Sequence, residues 1–206
     1  MDMIPENNYT RLCGLMAGPP AFSHSSRGQD FYSFPLEVRR LSGNSDTLNI
    51  VLRKGLLESL EPGGEEKLCV TGQLRTFNNR RGVGAKLIIS VFARELCFCQ
   101  EEDANLVRLS GTLCKEPNPR TTPMGRDICD LMLAVNRRYG RSDYLPCICW
   151  GARAREAAAW SVGTRLSLEG RIQSRAYIKM TPEGPVEKTA YEVSATELEC
   201  MPPEAL

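Results

Sequence analysis

Cys129–Trp150 reads CDLMLAVNRRYGRSDYLPCICW, and its alternation decides the fold. Cys129, Leu131, Leu133 and Val135 fall on one side of an extended chain, with Asp130, Met132, Ala134 and Asn136 on the other. That period of two marks a strand with one face in a core. The chain then turns through Arg138–Asp143, where Gly140 supplies backbone freedom and Ser142 and Asp143 supply turn chemistry. In the strand that follows, Leu145, Cys147 and Cys149 point one way and Tyr144, Pro146, Ile148 and Trp150 the other. The second set puts two aromatics beside Arg137, Arg138 and Arg141 and within reach of Tyr139. Rings that stack on bases, set among cations that meet phosphates, suit a single-stranded nucleic acid. On alternation alone, the same rings serve equally well to cover a second hydrophobic layer or a subunit contact.

Working outward, the 206 residues leave room for one large or two small domains. With 42% apolar and 25% charged residues, a packed core is expected and wholesale disorder is excluded. The formal net charge of +1 is unevenly placed. Between Asn105 and Arg175, twelve Lys or Arg stand against six Asp or Glu. The acids gather in Glu61–Glu66, in Glu101–Asp103 and from Glu183 onward. A basic domain with acid at its margins is the electrostatic footprint of a polyanion binder. No apolar run reaches membrane-spanning length, and MDMIPENNYT lacks a basic-then-apolar leader, so a cytoplasmic protein without a membrane partner is expected. The nine cysteines are odd in number and sit mostly in strand-like runs, and they read as reduced, small hydrophobes.

The pattern is written twice. LEVRRLSGNSDTL (Leu36–Leu48) aligns without a gap with LAVNRRYGRSDYL (Leu133–Leu145), 97 residues on. The same offset relates Arg11–Gly14 to Arg108–Gly111 and Gly28 to Gly125, and VTGQL (Val70–Leu74) meets LEGRI (Leu168–Ile172) one residue later in register. A tandem duplication follows, with residues 1–99 as one domain, 100–104 as linker, 105–200 as the second domain and 201–206 as a short tail. Each unit is expected to run in one order: a first strand with a glycine (Leu106–Leu113), a Pro/Thr-rich loop (Glu116–Gly125), the two strands above, a short helix (Ala152–Ser161), a fourth strand (Arg165–Tyr177), a turn at Thr181–Gly184 and a fifth strand (Ala190–Ala195). Five strands with one helix between the third and fourth is the order of the OB-fold. The expected class is all-β, two tandem five-stranded Greek-key barrels.

NLVRLSGTL (Asn105–Leu113), EPNPRTTPMGRDICDLMLAVNRRY (Glu116–Tyr139), SDYLPCICWG (Ser142–Gly151), GTRLSLEGRIQSRAY (Gly163–Tyr177) and YEVSATELE (Tyr191–Glu199) together resemble the bacterial single-stranded DNA-binding protein family. The resemblance covers about half the chain and implies non-catalytic, largely sequence-independent binding of single-stranded DNA in replication, recombination or repair. Its four base-stacking positions fall on Tyr139, Tyr144, Trp150 and Tyr177, and its groove cations on Arg171 and Arg175 beside Arg137, Arg138 and Arg141. At the matching positions the first unit offers Ser42, Thr47, Arg53 and Asn79, so it reads as a degenerate copy that tracks phosphates or serves assembly. Because the family commonly works with four OB-folds, the resemblance implies a homo-oligomer, a dimer being the favoured form. The family's acidic, apolar-tipped tail has no counterpart in Met201–Leu206, so recruitment of enzymes by that route is not expected.

Other chemistries are weak. Cys97 and Cys99 with Cys147 and Cys149 do not have C-x-x-C spacing, so no metal is expected. His24, the single histidine, reads as a solvated residue of the loop SHSSRG. With one histidine, no Gly-rich phosphate loop and no nucleophile elbow, neither an enzyme nor a cofactor or small-molecule substrate is expected. Trp160 is expected to pack on the barrel's end. An OB-fold binder of RNA, a primosome-type accessory protein and a structural module using its aromatics at an interface remain as alternatives.

Overall fold

The computed structural model describes residues 7–60, 67–79, 87–138, 140–181 and 184–202. The fold is all-β. Contacts divide it into two compact units: Thr10–Leu106 with Gln173–Ala190, and Val107–Ile172 with the flanking segments up to Tyr9 and from Tyr191. The expected boundary kept all of 105–200 together. The difference lies in one long hairpin, whose distal half groups with the first unit.

The first unit contains β1 (Asn8–Met16), β2 (Ala21–Ser26), β3 (Gln29–Arg39), β4 (Ser45–Arg53), α1 (Lys54–Glu58), β5 (Lys67–Asn78) and β6 (Leu87–Phe98). β1 pairs with β5 and, at Leu15↔Glu37, with β3; β3 pairs with β4, β4 runs parallel to β6 at Ile50↔Val91, and β6 returns to β5. Five strands thus close on themselves in the OB order. The enclosed side chains include Leu12, Phe34, Leu36, Leu48, Ile50, Leu68, Val70 and Leu74, all buried. Each such residue contributes about 1.5–3 kcal/mol relative to exposure.

The second unit repeats the plan with β7 (Ala104–Leu113), β8 (Asn118–Thr121), β9 (Asp127–Asn136), β10 (Ser142–Trp150), α2 (Ala152–Ala157), β11 (Arg165–Thr181) and β12 (Gly184–Cys200). β7 pairs with β9 and β11, β9 with β10, and β10 runs parallel to β12 at Cys147↔Val193. The alternation of β9 holds: Cys129, Leu131, Leu133 and Val135 are buried, and Met132 and Ala134 are half-exposed.

Several expectations are corrected. The Pro/Thr-rich stretch is a ribbon, not a loop: β8 pairs with β9 from Asn118↔Asp130 to Thr121↔Asp127, and Thr122 N–H donates to the Arg126 carbonyl at 2.9 Å. All four β8 residues are exposed, so no alternation marks them, and Pro119 is tolerated because the strand is an edge. His24 likewise lies in β2, whose turn to β3 at Arg27-Gly28 has positive φ at both residues, as a two-residue hairpin requires. Helix α2 ends at Ala157, earlier than expected, while β11 and β12 run beyond their expected ends. Of the expected turn Thr181–Gly184, Pro182 and Glu183 lie outside the described residues.

Barrel closure is tight at glycine. A Cβ on Gly14 would sit 2.2 Å from the Glu37 carbonyl oxygen, and one on Gly111, its counterpart, 2.5 Å from that of Ala134. Gly72 and Gly170 stand in the same relation to Phe92 and Ser194, at 2.2 Å each. Gly170→Ala should therefore cost about 1–3 kcal/mol by urea denaturation; a loss within error would mean that strand coiling does not depend on the glycine.

A second repeated device is a buried carboxylate. Asp46 and Asp143 are both 0% exposed. Arg40 Nε donates to Asp46 at 2.6 Å, and Arg137 Nε to Asp143 at 2.7 Å, each guanidinium making a second bond to the other carboxylate oxygen. Asp46 also accepts from the Ser174 backbone N–H at 2.7 Å. Burial pushes the Asp46 carboxyl up, but bonds from Arg40 and Ser174 outweigh it and hold it below the usual carboxylate range. Its stabilisation is therefore complete above about pH 4 and fades as pH falls through the lowered folded value. Asp46→Asn should cost about 3 kcal/mol at neutral pH. In denaturation series, the gap from the parent protein should narrow below pH 4; a gap independent of pH would remove Asp46 from the acid response.

Candidate nucleic-acid interface

The second unit's outer surface is built on β9 and β10. Tyr144 and Trp150 leave the same side of β10, opposite Ala134 and Ile128 respectively. They are 52% and 40% exposed on a strand whose other large apolar residues, Leu145 and Ile148, are buried with Cys147 and Cys149. The strand places them there because Leu145, Cys147 and Cys149 fill the inside. Ile148, expected on the outer side with them, is only 3% exposed. It lies opposite Asp130, whose carboxylate holds Arg120 at 2.6 and 2.9 Å and Asn118 at 3.4 Å. The β8 ribbon thus supplies a polar layer over the middle of this face.

The cations divide by partner. Arg138 and Arg141 are exposed at the β9–β10 turn and make no ion pair among the described residues. Arg137 does not join them as expected, since its guanidinium is spent on buried Asp143 and its side chain is only 20% exposed. Arg171 is half-exposed on β11, with its Nε buried and lacking a hydrogen-bond partner. Tyr139 lies outside the described residues. Arg175 and Tyr177 group with the first unit, where the Arg175 guanidinium stands 6.0 Å from the centre of the half-buried Tyr177 ring.

Two features escaped the sequence reading. Arg120 and Arg155 line a recess of about 190 Å³ that also includes Ile128, the cross-strand partner of Trp150. Both are neutralised locally, Arg120 by Asp130 and Arg155 by Asp127 at 2.7 Å. In the first unit Ser42, Thr47 and Arg53 are exposed and carry no ring, as the alignment requires. Yet the β2–β3 ribbon has rings of its own: exposed Phe22 meets Tyr32 edge to face at 6.0 Å, and His24 stacks on Phe31 at 4.8 Å. The cue was the run AFSHSS before a turn glycine, masked by its serines.

Trp160 is half-buried just past α2. Cys147 and Cys149 are core residues, and burial pushes both thiols up, Cys149 to about 12, as befits inert small hydrophobes. No helix among the described residues is long and apolar enough to cross a membrane. Arg137→Ala should therefore act as a core lesion, lowering the urea midpoint more than Arg138→Ala or Arg141→Ala; equal effects of the three would place Arg137 back on the surface.

The family model described as the single-strand binding protein family matches residues 104–201. Single-stranded DNA-binding protein 2 of Listeria innocua is 36% identical over 80 residues, covering 35% of this chain and 50% of that protein. Single-stranded DNA-binding protein B of Bacillus subtilis is 35% identical over 80 residues, covering 71% of its length. The chain spans about half the length of most of the other curated relatives it matches, such as 48% of the protein from Halalkalibacterium halodurans. In shape it is similar to the wild-type single-stranded DNA binding protein from Thermus aquaticus, with a TM-score of 0.76 over 97% of this chain and 95% of that one at 23% identity. That likeness concerns the fold. The Bacillus subtilis match adds sequence across most of a relative, and by it the chain belongs to the single-strand binding protein family.

Proposed function

We propose that this protein binds single-stranded DNA without catalysis and largely without regard to sequence, in the cytoplasm, during replication, recombination or repair. The observation that carries the reading is the pair Tyr144 and Trp150, exposed on one side of one strand beside a turn with Arg138 and Arg141. An exposed ring is costly to leave in water and offers a π-face to any base, which is why such binding tolerates every sequence. The names of the relatives point the same way. Tyr139, Tyr177, Arg171 and Arg175 belong to the same proposal by their alignment with the family's stacking and groove positions. The division of labour is part of it too: residues 105–200 hold the strand, while 1–99, poor in rings at those positions, contribute phosphate contacts and assembly. Two barrels in one chain support a dimer that presents four.

The test is an anisotropy titration of the full chain with labelled oligo-dT. Tyr144→Ala and Trp150→Ala should each weaken binding by about 1–3 kcal/mol with an unchanged urea midpoint. The log–log salt slope should flatten by about 0.7 for each phosphate that Arg138→Ala or Arg141→Ala leaves unneutralised. Ring variants that bind like the parent would overturn the proposal, as would tighter binding of an RNA of equal length.

A further inference from the structure

The first unit gathers thiols outside its barrel. Cys13 on β1 lies directly opposite Cys69 on β5, and Cys69 directly opposite Cys97 on β6. Cys99, just past β6, is anchored by its N–H to the Lys67 carbonyl at 3.1 Å. The sulfurs of Cys13, Cys69 and Cys99 all lie within 4.8 Å of one another. By strand alternation these residues face away from the core filled by Leu12, Leu68 and Val70, yet Cys13 is 0% and Cys69 only 8% exposed. What accompanies that burial is the segment after β6, tied down at both ends. Glu101 pairs with Arg11, and Asp103 with Lys67 at 2.7 Å and with the Arg39 N–H at 2.7 Å.

Three sulfurs from three separate parts of the chain, held under a strap, are more than small-residue packing asks for. A disulfide would use two and strand the third. Sulfurs around tetrahedral zinc, with Zn–S near 2.3 Å, stand about 3.8 Å apart, so only a small contraction separates this cluster from a metal site. Thiolates select soft or borderline cations over magnesium or calcium. No C-x-x-C pair announces the site, because its ligands come from different strands.

We propose that Cys13, Cys69 and Cys99 bind one zinc ion per chain as thiolates, releasing their protons to solvent, with a water molecule completing the tetrahedron. Bound there, the ion would pin the segment Cys99–Asp103 onto the first barrel. The proposal is independent of how the second unit meets DNA.

The experiment uses the full chain, reduced and stripped of metal, titrated with cobalt(II). One equivalent should produce the intense red-region bands of tetrahedral cobalt and a near-ultraviolet thiolate charge-transfer band, both erased by zinc. Cys13→Ser, Cys69→Ser and Cys99→Ser should each weaken cobalt binding at least tenfold. Cys97→Ser and Cys200→Ser, at exposed cysteines outside the cluster, should leave binding and both bands unchanged. The parent titration does not depend on any variant folding: absence of a thiolate–cobalt band there would overturn the site. So would bands that persist undiminished in folded Cys13→Ser and Cys99→Ser proteins.

Discussion

Closing a five-stranded sheet on itself is the constraint from which the rest follows. At Gly14, Gly72, Gly111 and Gly170 one strand crosses another with no room for a Cβ. These crossings set the register, and register in a strand is all-or-nothing, since a slip of one residue would turn every core side chain outward. With β10 held parallel to β12 at Cys147↔Val193, its odd-numbered residues must fill the interior and Tyr144 and Trp150 must face out. The exposed rings are thus a consequence of how the barrel closes.

The buried carboxylates secure the turn beside those rings. In both units an arginine at the end of one strand folds back onto an aspartate six residues later, across a turn whose glycine has positive φ. A buried pair of this kind contributes little net stability, but removing one partner is expensive, so it holds a single turn geometry. The consequence for function is a division among neighbouring arginines. Arg137 holds the turn, leaving Arg138 and Arg141 to face solvent. In the first unit the same architecture persists while Thr47 and Arg53 stand where Tyr144 and Trp150 do, which separates the scaffold from the chemistry placed on it.

Much of this was legible beforehand. The alternation of Cys129–Trp150, the repeated glycines and the 97-residue offset were enough for a duplicated barrel, because each is a local signal of a backbone requirement. What escaped was either exposed on all sides or long-range. The β2 and β8 ribbons bury no face, so they carry no periodicity. Arg137 looked like its neighbours because a sequence does not distinguish a cation facing solvent from one folded onto Asp143; the repeated Arg and Asp at equal spacing in both halves were the available clue. Ile148 is buried on the outer side because the polar layer over it comes from a ribbon that carries no sequence signal. The thiol cluster was hidden because Cys13, Cys69 and Cys99 meet only through strand pairing.

That a ring exposed by barrel closure is a base platform is most directly tested by the light it emits. The chain has two tryptophans, so Trp160→Phe leaves Trp150 as the sole reporter. Titrated with oligo-dT, the emission of this full-length variant should fall and saturate together with binding measured by anisotropy, because a stacked base quenches the indole. Binding that saturates while Trp150 emission stays constant would contradict stacking at that position and, with it, the link from barrel register to DNA.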